Sequence, residues 1–170
     1  MLSGAAYYAA RIVEYLAKLL RASLVAAMGV MLACIAIQVV MRYVFSNSQP
    51  WSEEMALLMF SWAILGGLAL GVYEGFHVRL DLLLNALPQS PRRWAEAAMD
   101  GATALFGAYL AWSGVRFVEF TSGSVSAAIG YPIEILHVLA PICGALICLF
   151  AASRLVLGPP PAKPQSGMSP

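Results

Sequence analysis

The chain alternates between long apolar runs and short segments that carry nearly all of its charge. Three runs contain no charged residue over about 20 positions, the length that a helix needs to cross a membrane. These runs extend from Ala22 to Met41, from Met55 to Tyr73 and from Ile135 to Ser153. A fourth run, Gly101 to Val115, is shorter and must include its flanks to cross. The pattern predicts four transmembrane helices, at about residues 22–43, 54–74, 97–117 and 134–154.

Composition supports this interpretation and excludes a soluble fold. Hydrophobic residues make up 61% of the chain and charged residues 11%, whereas a soluble domain carries about 25% charged residues. Because so few charges cannot cover a soluble fold of 170 residues, lipid must cover it. We therefore predict an all-α, multi-pass integral membrane protein. The formal net charge of +1 gives no basis for nucleic-acid binding.

The basic residues predict an orientation, because Lys and Arg concentrate in the cytoplasmic segments of membrane proteins. The first and third connections carry only Arg42 and Arg116. The other basic residues fall in the N-terminal segment, the second connection and the C-terminal tail. Both termini are therefore predicted in the cytoplasm, which requires an even number of spans and agrees with four. The residues on the cytoplasmic side are Arg11, Lys18, Arg21, Arg79, Arg92, Arg93, Arg154 and Lys163.

The two ends of the chain differ from the spans. Charged residues recur at helical spacing from Arg11 to Arg21 and form a polar stripe on a predicted amphipathic helix. This segment either lies in the cytoplasmic membrane interface or extends the first span inward, and Glu14 and Lys18 can pair one turn apart. We predict one membrane domain, residues 1–157. Residues 158–170 are rich in Pro, Gly and Ser and are predicted to be a disordered tail.

Side chains that could carry catalysis, a metal or a cofactor do not converge in this sequence. Cys34, Cys143 and Cys148 lie inside apolar runs, without the spacing of a disulfide framework or a zinc site. His77 and His137 are predicted at opposite membrane faces, which argues against a bis-histidine haem. We therefore predict no catalytic residue, no metal, no cofactor and no enzymatic activity.

The predicted spans carry almost no ionisable group at mid-depth. Ion-coupled carriers need carboxylates, broken helices or polar backbone near the centre of the membrane. Here Pro141 is the one helix-breaking residue within the spans, and it lies toward the outer end of the fourth. Trp62 is interpreted as a packing residue and not as a substrate platform. The chain is thus predicted to have no substrate pathway of its own and to need a partner.

The outer hairpin is the first place where charges gather. Pro50 lies in the first turn of the second predicted helix, where its missing N–H is harmless. Glu53 and Glu54 follow, near a helix N-terminus that favours anions. Because the hairpin brings Arg42 close, we expect an ion pair between Arg42 and either Glu53 or Glu54. Its role is either local anchoring or fixing the hairpin for a partner protein.

The inner face carries a second group of charges. His77, Arg79 and Asp81 closely follow Gly75, and Arg79 is a candidate to bind lipid phosphate. Asp100 is expected to pair with Arg79 or Arg93 at the inner boundary. Interface anchoring and a docking role both remain open for these residues.

Small residues recur every four positions in three of the predicted spans. Such residues let helix backbones approach closely in lipid, so these faces are predicted packing surfaces, with the partner helix either in this chain or in another. They are Ala63, Gly67, Gly71 and Gly75; Ala140, Gly144, Cys148 and Ala152; and Ala104 with Ala108 and Gly107 with Ala111.

The order of these features resembles a known family, the DctQ-like small membrane subunit of tripartite ATP-independent periplasmic (TRAP) transporters. The likeness covers the four-span plan, and its motifs lie between Arg42 and Pro88. They are Arg42; Pro50-Trp51-Ser52-Glu53-Glu54; Trp62; Gly66-Gly67; and Gly75-Phe76-His77-Val78-Arg79-Leu80-Asp81.

This resemblance implies a scaffold subunit in a bacterial inner membrane. Its expected partners are a large multi-span membrane subunit that carries the substrate and sodium sites, a periplasmic binding protein that delivers an organic acid, and phospholipids. Structural or interface roles are expected at Arg42, Trp51, Glu53, Glu54 and Trp62 in the outer half, at Gly67 and Gly71, and at His77, Arg79 and Asp81 in the inner half.

Two other functions remain open from the residues alone. One is a four-helix membrane redox protein, which absorbance between about 400 and 600 nm would reveal because such a protein needs haem or flavin. The other is a small channel or transporter that works without a partner, which reconstitution of the chain alone would reveal.

Overall fold

The chain folds into long helices in a computed structural model that describes residues 4–47, 49–75 and 89–158. Residues His77, Arg79 and Asp81 and the predicted tail from residue 159 onward lie outside the described residues. The described helices are α1 (Gly4–Val44), α2 (Pro50–Glu74), α3 (Gln89–Thr121), α4 (Glu134–His137) and α5 (Leu139–Leu157).

Helix α1 settles how the amphipathic N-terminal segment relates to the first span. It continues without interruption for 41 residues, which corresponds to about 60 Å at 1.5 Å per residue. The segment therefore extends the first span and does not form a separate interfacial helix. Val13, Ala17 and Leu20 in this extension are buried against α2 and α5, while Lys18 and Glu14 pair on its exposed side at 2.7 Å, as predicted.

Three helical stretches in the described residues are long and apolar enough to cross a membrane. They are Tyr7–Val44, Pro50–Glu74 and Glu134–Val156, and they confirm an all-α membrane protein. Helix α3 is 33 residues long and contains the predicted span 97–117, but it is less apolar than the other long helices. Its crossing therefore stays a prediction, as do the count of four spans and the cytoplasmic placement of both termini.

Helices α2 and α5 form the centre of the bundle, with α1 packed along α2 and α3 packed along α5. We use "outer end" for the end that carries Glu54 and "inner end" for the end that carries Arg154, according to the predicted orientation. Toward the inner end, Ala69, Val72 and Phe150 form part of a buried cluster. Because lipid is as apolar as these side chains, van der Waals packing and not the hydrophobic effect holds them together.

Helices α3 and α5 approach each other through small residues. A Cβ added at Gly107 would lie 2.6 Å from the backbone nitrogen of Cys148, and one at Gly114 would lie 2.8 Å from Pro141. Gly144 likewise faces the backbone of Ala111. The small-residue prediction for the α3–α5 contact is therefore confirmed, since a larger side chain at any of these three glycines would push the helices apart.

Helix α2 packs through a different face from the one predicted. Gly66 lies against the side chains of Leu20 and Leu24, whereas a Cβ at Gly67 would meet no heavy atom within 4 Å. Adjacent residues on a helix point about 100° apart, so the Gly67 and Gly71 stripe lies beside the packed face. Gly67 therefore contacts no partner helix among the described residues, and packing of this stripe against a helix of another chain stays a prediction.

Candidate functional site: the two polar ends of the bundle

The outer end is organised around the carboxylate of Glu54, one turn into α2. It accepts hydrogen bonds from Ser126 Oγ at 2.7 Å, from the Ala128 backbone N–H at 2.9 Å and from the Ile129 backbone N–H at 3.2 Å. All three donors belong to the loop between α3 and α4, which we call the outer loop (residues 122–133). Glu54 therefore ties the N-terminal end of α2 to the outer loop across 72 positions of sequence.

The outer loop has its own backbone framework. The Ser126 backbone N–H donates to the Tyr131 carbonyl at 2.9 Å, and the Ile133 backbone N–H donates to the Ser124 carbonyl at 3.1 Å. Gly130 adopts a positive φ of 71°, a backbone conformation that favours glycine. Its N–H donates to Ser126 Oγ at 3.1 Å. Burial, and then the nearby Glu54 charge, raise the pKa of Tyr131.

A second carboxylate holds the start of the outer loop. Glu134 Oε1 accepts a hydrogen bond from the Gly123 backbone N–H at 2.7 Å. Next to it, His137 Nδ1 lies 2.7 Å from Thr121 Oγ1, and its ring lies 4.5 Å from the ring of Phe117. The loop is therefore held at its start by Glu134 from α4 and in its middle by Glu54 from α2.

The predicted ion pairs of Arg42 are not formed among the described residues. Arg42 and Glu53 are exposed, and the Glu54 carboxylate binds the outer loop. An exposed Arg–Glu pair contributes only about 0–1 kcal/mol, so three directed donors outcompete it. Trp51 is also partly exposed, and its Nε1 donates to Gln49 Oε1 at 3.1 Å.

The inner end is joined by Arg154, near the end of α5. Its Nε lies 3.2 Å from Asp100 Oδ1 of α3, and both side chains are largely buried. Its Nη1 donates to the Val72 carbonyl of α2 at 3.3 Å. Gly75 ends α2 with a positive φ of 75°, and a Cβ there would lie 2.6 Å from Arg154 Nη1. Arg154 thus connects three helices at one point.

The structure gives Asp100 a partner that the sequence did not predict, Arg154 of α5. The predicted pairing with Arg79 or Arg93 stays a prediction, because the side chains of these two residues lie outside the described part of the chain. Arg21 of α1 forms an ion pair with Glu74 at the same end of the bundle. Together, these two pairs join α1 to α2 and α3 to α5.

Trp62 is a packing residue, as predicted. Its side chain packs against the buried cluster, and its Nε1 donates to Ser23 Oγ of α1 at 3.2 Å. Gly67 and Gly71 are half-buried. Of the predicted site residues, only Glu54 and Trp62 make contacts between different segments in the described part of the chain.

Sequence reasoning missed Ser126, Glu134 and the role of Arg154. Asp100 and Arg154 each flank an apolar run on the predicted inner side. Their shared depth in the membrane could have indicated that they form an ion pair. No such signal exists for Ser126, because its partner Glu54 is 72 positions away and many polar residues of the connections are equally plausible partners.

Comparisons with known proteins identify relatives of this chain. A family model described as "Tripartite ATP-independent periplasmic transporters, DctQ component" matches residues 31–158. The C4-dicarboxylate TRAP transporter small permease protein DctQ of Rhodobacter capsulatus is 32% identical over 100 residues, which are 58% of this chain and 44% of that protein. The match therefore spans less than half of the Rhodobacter protein.

Two further relatives extend the comparison. The sialic acid TRAP transporter small permease protein SiaQ of Vibrio cholerae is 25% identical over 138 residues, 77% of this chain and 79% of that protein. The sialic acid TRAP transporter permease protein SiaT of Haemophilus influenzae is 33% identical over 70 residues, 41% of this chain but only 11% of that protein.

Proposed function

The chain belongs to the family of DctQ components of TRAP transporters, and we propose that it is the scaffold subunit of such a transporter in a bacterial inner membrane. It is a membrane transport component and not an enzyme. In the proposed complex it supports a large membrane subunit that binds substrate and sodium. A periplasmic binding protein delivers the substrate to that subunit.

The observation that carries the scaffold proposal is where the polar contacts lie. The described ion pairs Arg21–Glu74 and Asp100–Arg154 join helices at the inner end, and Glu54 fixes the outer loop at the outer end. The runs 22–41, 55–73, 101–115 and 135–153, which lie between these ends, carry no charged residue. A carrier needs polar groups near the centre of the membrane, whereas a bundle fastened at both ends suits a static support.

The relatives support the choice of partner. The region of SiaT that resembles this chain is 11% of a much longer permease protein, which supports an association of this chain with further permease sequence. We infer that this chain associates with a separate large permease subunit. The names of the relatives include C4-dicarboxylate and sialic acid, which supports an organic acid as the proposed substrate class.

The proposal also assigns the surfaces of the outer end. Arg42, Trp51 and Glu53 remain exposed beside the hairpin, so they are free to contact the large subunit or the binding protein. Glu54 acts indirectly, by holding the outer loop in one conformation.

Co-expression with the large subunit and the binding protein tests this function. A tagged large subunit should retain this chain in mild detergent, and sodium-driven uptake should require both membrane subunits together with the binding protein. A large subunit that transports at full rate without this chain, or one that fails to retain it, would contradict the proposal.

A further inference from the structure

We propose that the large membrane subunit covers the exposed face of α3 that is centred on Leu105, Tyr109 and Trp112, which we call the α3 face. This inference rests on the proposed function, because the large subunit is the partner assumed there. It adds the location of the contact and the chemistry that the partner must present.

The α3 face points away from the rest of the bundle. Leu105, Tyr109 and Trp112 recur at four- and three-residue spacing, so they share one side of the helix. Gly107 and Gly114 lie on the opposite side, against α5. Tyr109 and Trp112 are each 62% exposed, and their ring centroids lie 6.0 Å apart. The bundle itself therefore leaves a continuous aromatic surface uncovered.

The depth of Tyr109 is unusual for a surface that contacts lipid. Within the uncharged run between Asp100 and Arg116, Tyr109 lies nine residues from Asp100 and seven residues from Arg116, which is about 14 Å and about 10 Å along the helix. Trp112 lies one turn inside Arg116, nearer the outer boundary. Trp and Tyr favour the two membrane interfaces, where their polar tips reach water or headgroups. At the depth of Tyr109, lipid offers neither.

The Tyr109 hydroxyl therefore needs a protein partner. In the part of the chain that the structure describes, neither the Tyr109 hydroxyl nor Trp112 Nε1 makes a hydrogen bond. Leaving such a donor without an acceptor in hydrocarbon is unfavourable. A neighbouring transmembrane helix can supply carbonyl or hydroxyl oxygens at this depth, whereas acyl chains cannot.

The outermost helices of the bundle, α1 and α3, differ in a way that also favours the large subunit as the occupant of the α3 face. The outer half of α1 exposes aliphatic side chains such as Val25 and Leu32, which suit lipid. Helix α3 forms the other flank and is less apolar than the other long helices, although one side of it is equally uncovered. Protein cover explains why a less apolar helix lies at the edge of a membrane bundle.

The charge of Arg116 further specifies the chemistry of the partner helix. Arg116 lies one turn beyond Trp112 on the same face, is exposed, and makes no ion pair within the described ranges. The occupant should therefore be a helix of the large subunit with hydrogen-bond acceptors near its middle and a carboxylate near its outer end.

Photocrosslinking in the complete transporter tests the location. The photoreactive residue p-benzoylphenylalanine replaces Leu105 in one sample and Leu32 of α1 in a matched sample. Both are exposed leucines of the membrane bundle, 74% and 59% exposed respectively. We expect irradiation to join the chain to the large subunit from position 105 and to give at least tenfold less of that product from position 32.

Two conservative variants test the chemistry. Tyr109→Phe and Trp112→Phe keep an aromatic ring and remove only the polar tip. Each should weaken retention of this chain on the tagged large subunit by roughly threefold, the effect of one average hydrogen bond between membrane helices. Tyr43→Phe, at a tyrosine that is 79% exposed near the outer end of α1, should leave retention unchanged.

The outcomes separate this inference from the function on which it rests. An intact two-subunit complex that crosslinks from position 32 and not from 105 would overturn the α3 face alone. So would crosslinks from position 105 only to lipid or only to a second copy of this chain. Loss of the large subunit from the unmodified complex would overturn the proposed function and this inference together.

Discussion

Removal of Asp100 is the perturbation whose consequence the structure defines best. Asp100 neutralises Arg154, whose guanidinium also binds the Val72 carbonyl of α2. In an Asp100→Ala variant, a largely buried cation would lose its counterion. The contact between α3 and the centre of the bundle should therefore weaken at the inner end.

The magnitude follows from the burial of the pair. An exposed ion pair contributes about 0–1 kcal/mol, whereas breaking a fully buried one costs about 3–5 kcal/mol. The side chains of Arg154 and Asp100 are 17% and 15% exposed, and Arg154 keeps its bond to Val72. We therefore expect Asp100→Ala to lower the free energy of unfolding by about 2–3 kcal/mol.

Denaturation in detergent micelles, followed by circular dichroism, measures this effect. The matched control is Glu14→Ala, which breaks the exposed Glu14–Lys18 pair and should produce no measurable change. The Asp100→Ala/Arg154→Ala double variant should be more stable than the sum of the single changes predicts, by about 1–2 kcal/mol, because no charge is left unpaired. Equal stability of Asp100→Ala and Glu14→Ala, or full additivity in the double variant, would refute the reasoning.

Three further changes test other contacts. Glu54→Ala should release the outer loop, which limited proteolysis would detect as faster cleavage, and should lower uptake without changing substrate preference; a switch in preference would count against the scaffold role. Gly107→Ala should destabilise the bundle by about 1–3 kcal/mol because the α5 backbone must move, whereas Gly67→Ala, which meets open space, should not. Arg42→Ala should lower uptake or subunit assembly, as measured by transport and co-purification, with stability unchanged because Arg42 forms no ion pair among the described residues; a marked loss of stability would refute this.

The helices that the sequence predicts best are those with the longest uncharged runs. The predicted spans 22–43, 54–74 and 134–154 fall within helical stretches of the structure, because a run that cannot be hydrated has few alternatives in lipid. The start of α2 at Pro50 could also be predicted from the sequence, since proline is favoured in the first turn of a helix. The extents of these helices depend on residues that are close in sequence, and the sequence alone therefore predicts them.

Features that depend on the arrangement of several helices could not be predicted. A polar stripe from Arg11 to Arg21 fits both an interfacial helix and an extension of α1, and only packing of Val13 and Ala17 against the bundle decides between them. On α2, both the Gly66 face and the Gly67 stripe are rich in small residues, so composition could not select the packed one. The choice depends on where α1 and α5 lie.

The hydrogen-bond and ion-pair partners of the polar residues could not be predicted for the same reason. Depth in the membrane could be inferred for Glu54 and Asp100, but their partners Ser126 and Arg154 follow from the order of helices in the bundle. Arg42 was the nearest cation to Glu54 along the hairpin, and this nearness favoured the wrong pair. Contacts between distant segments therefore required the structure.

Transport by this chain alone in liposomes tests the central claim most directly. The account predicts that the purified chain, reconstituted without its partners, moves no labelled organic acid under a sodium gradient. Adding the large subunit and the binding protein should restore uptake. Solute movement by the chain alone, above that of empty liposomes, would contradict the account.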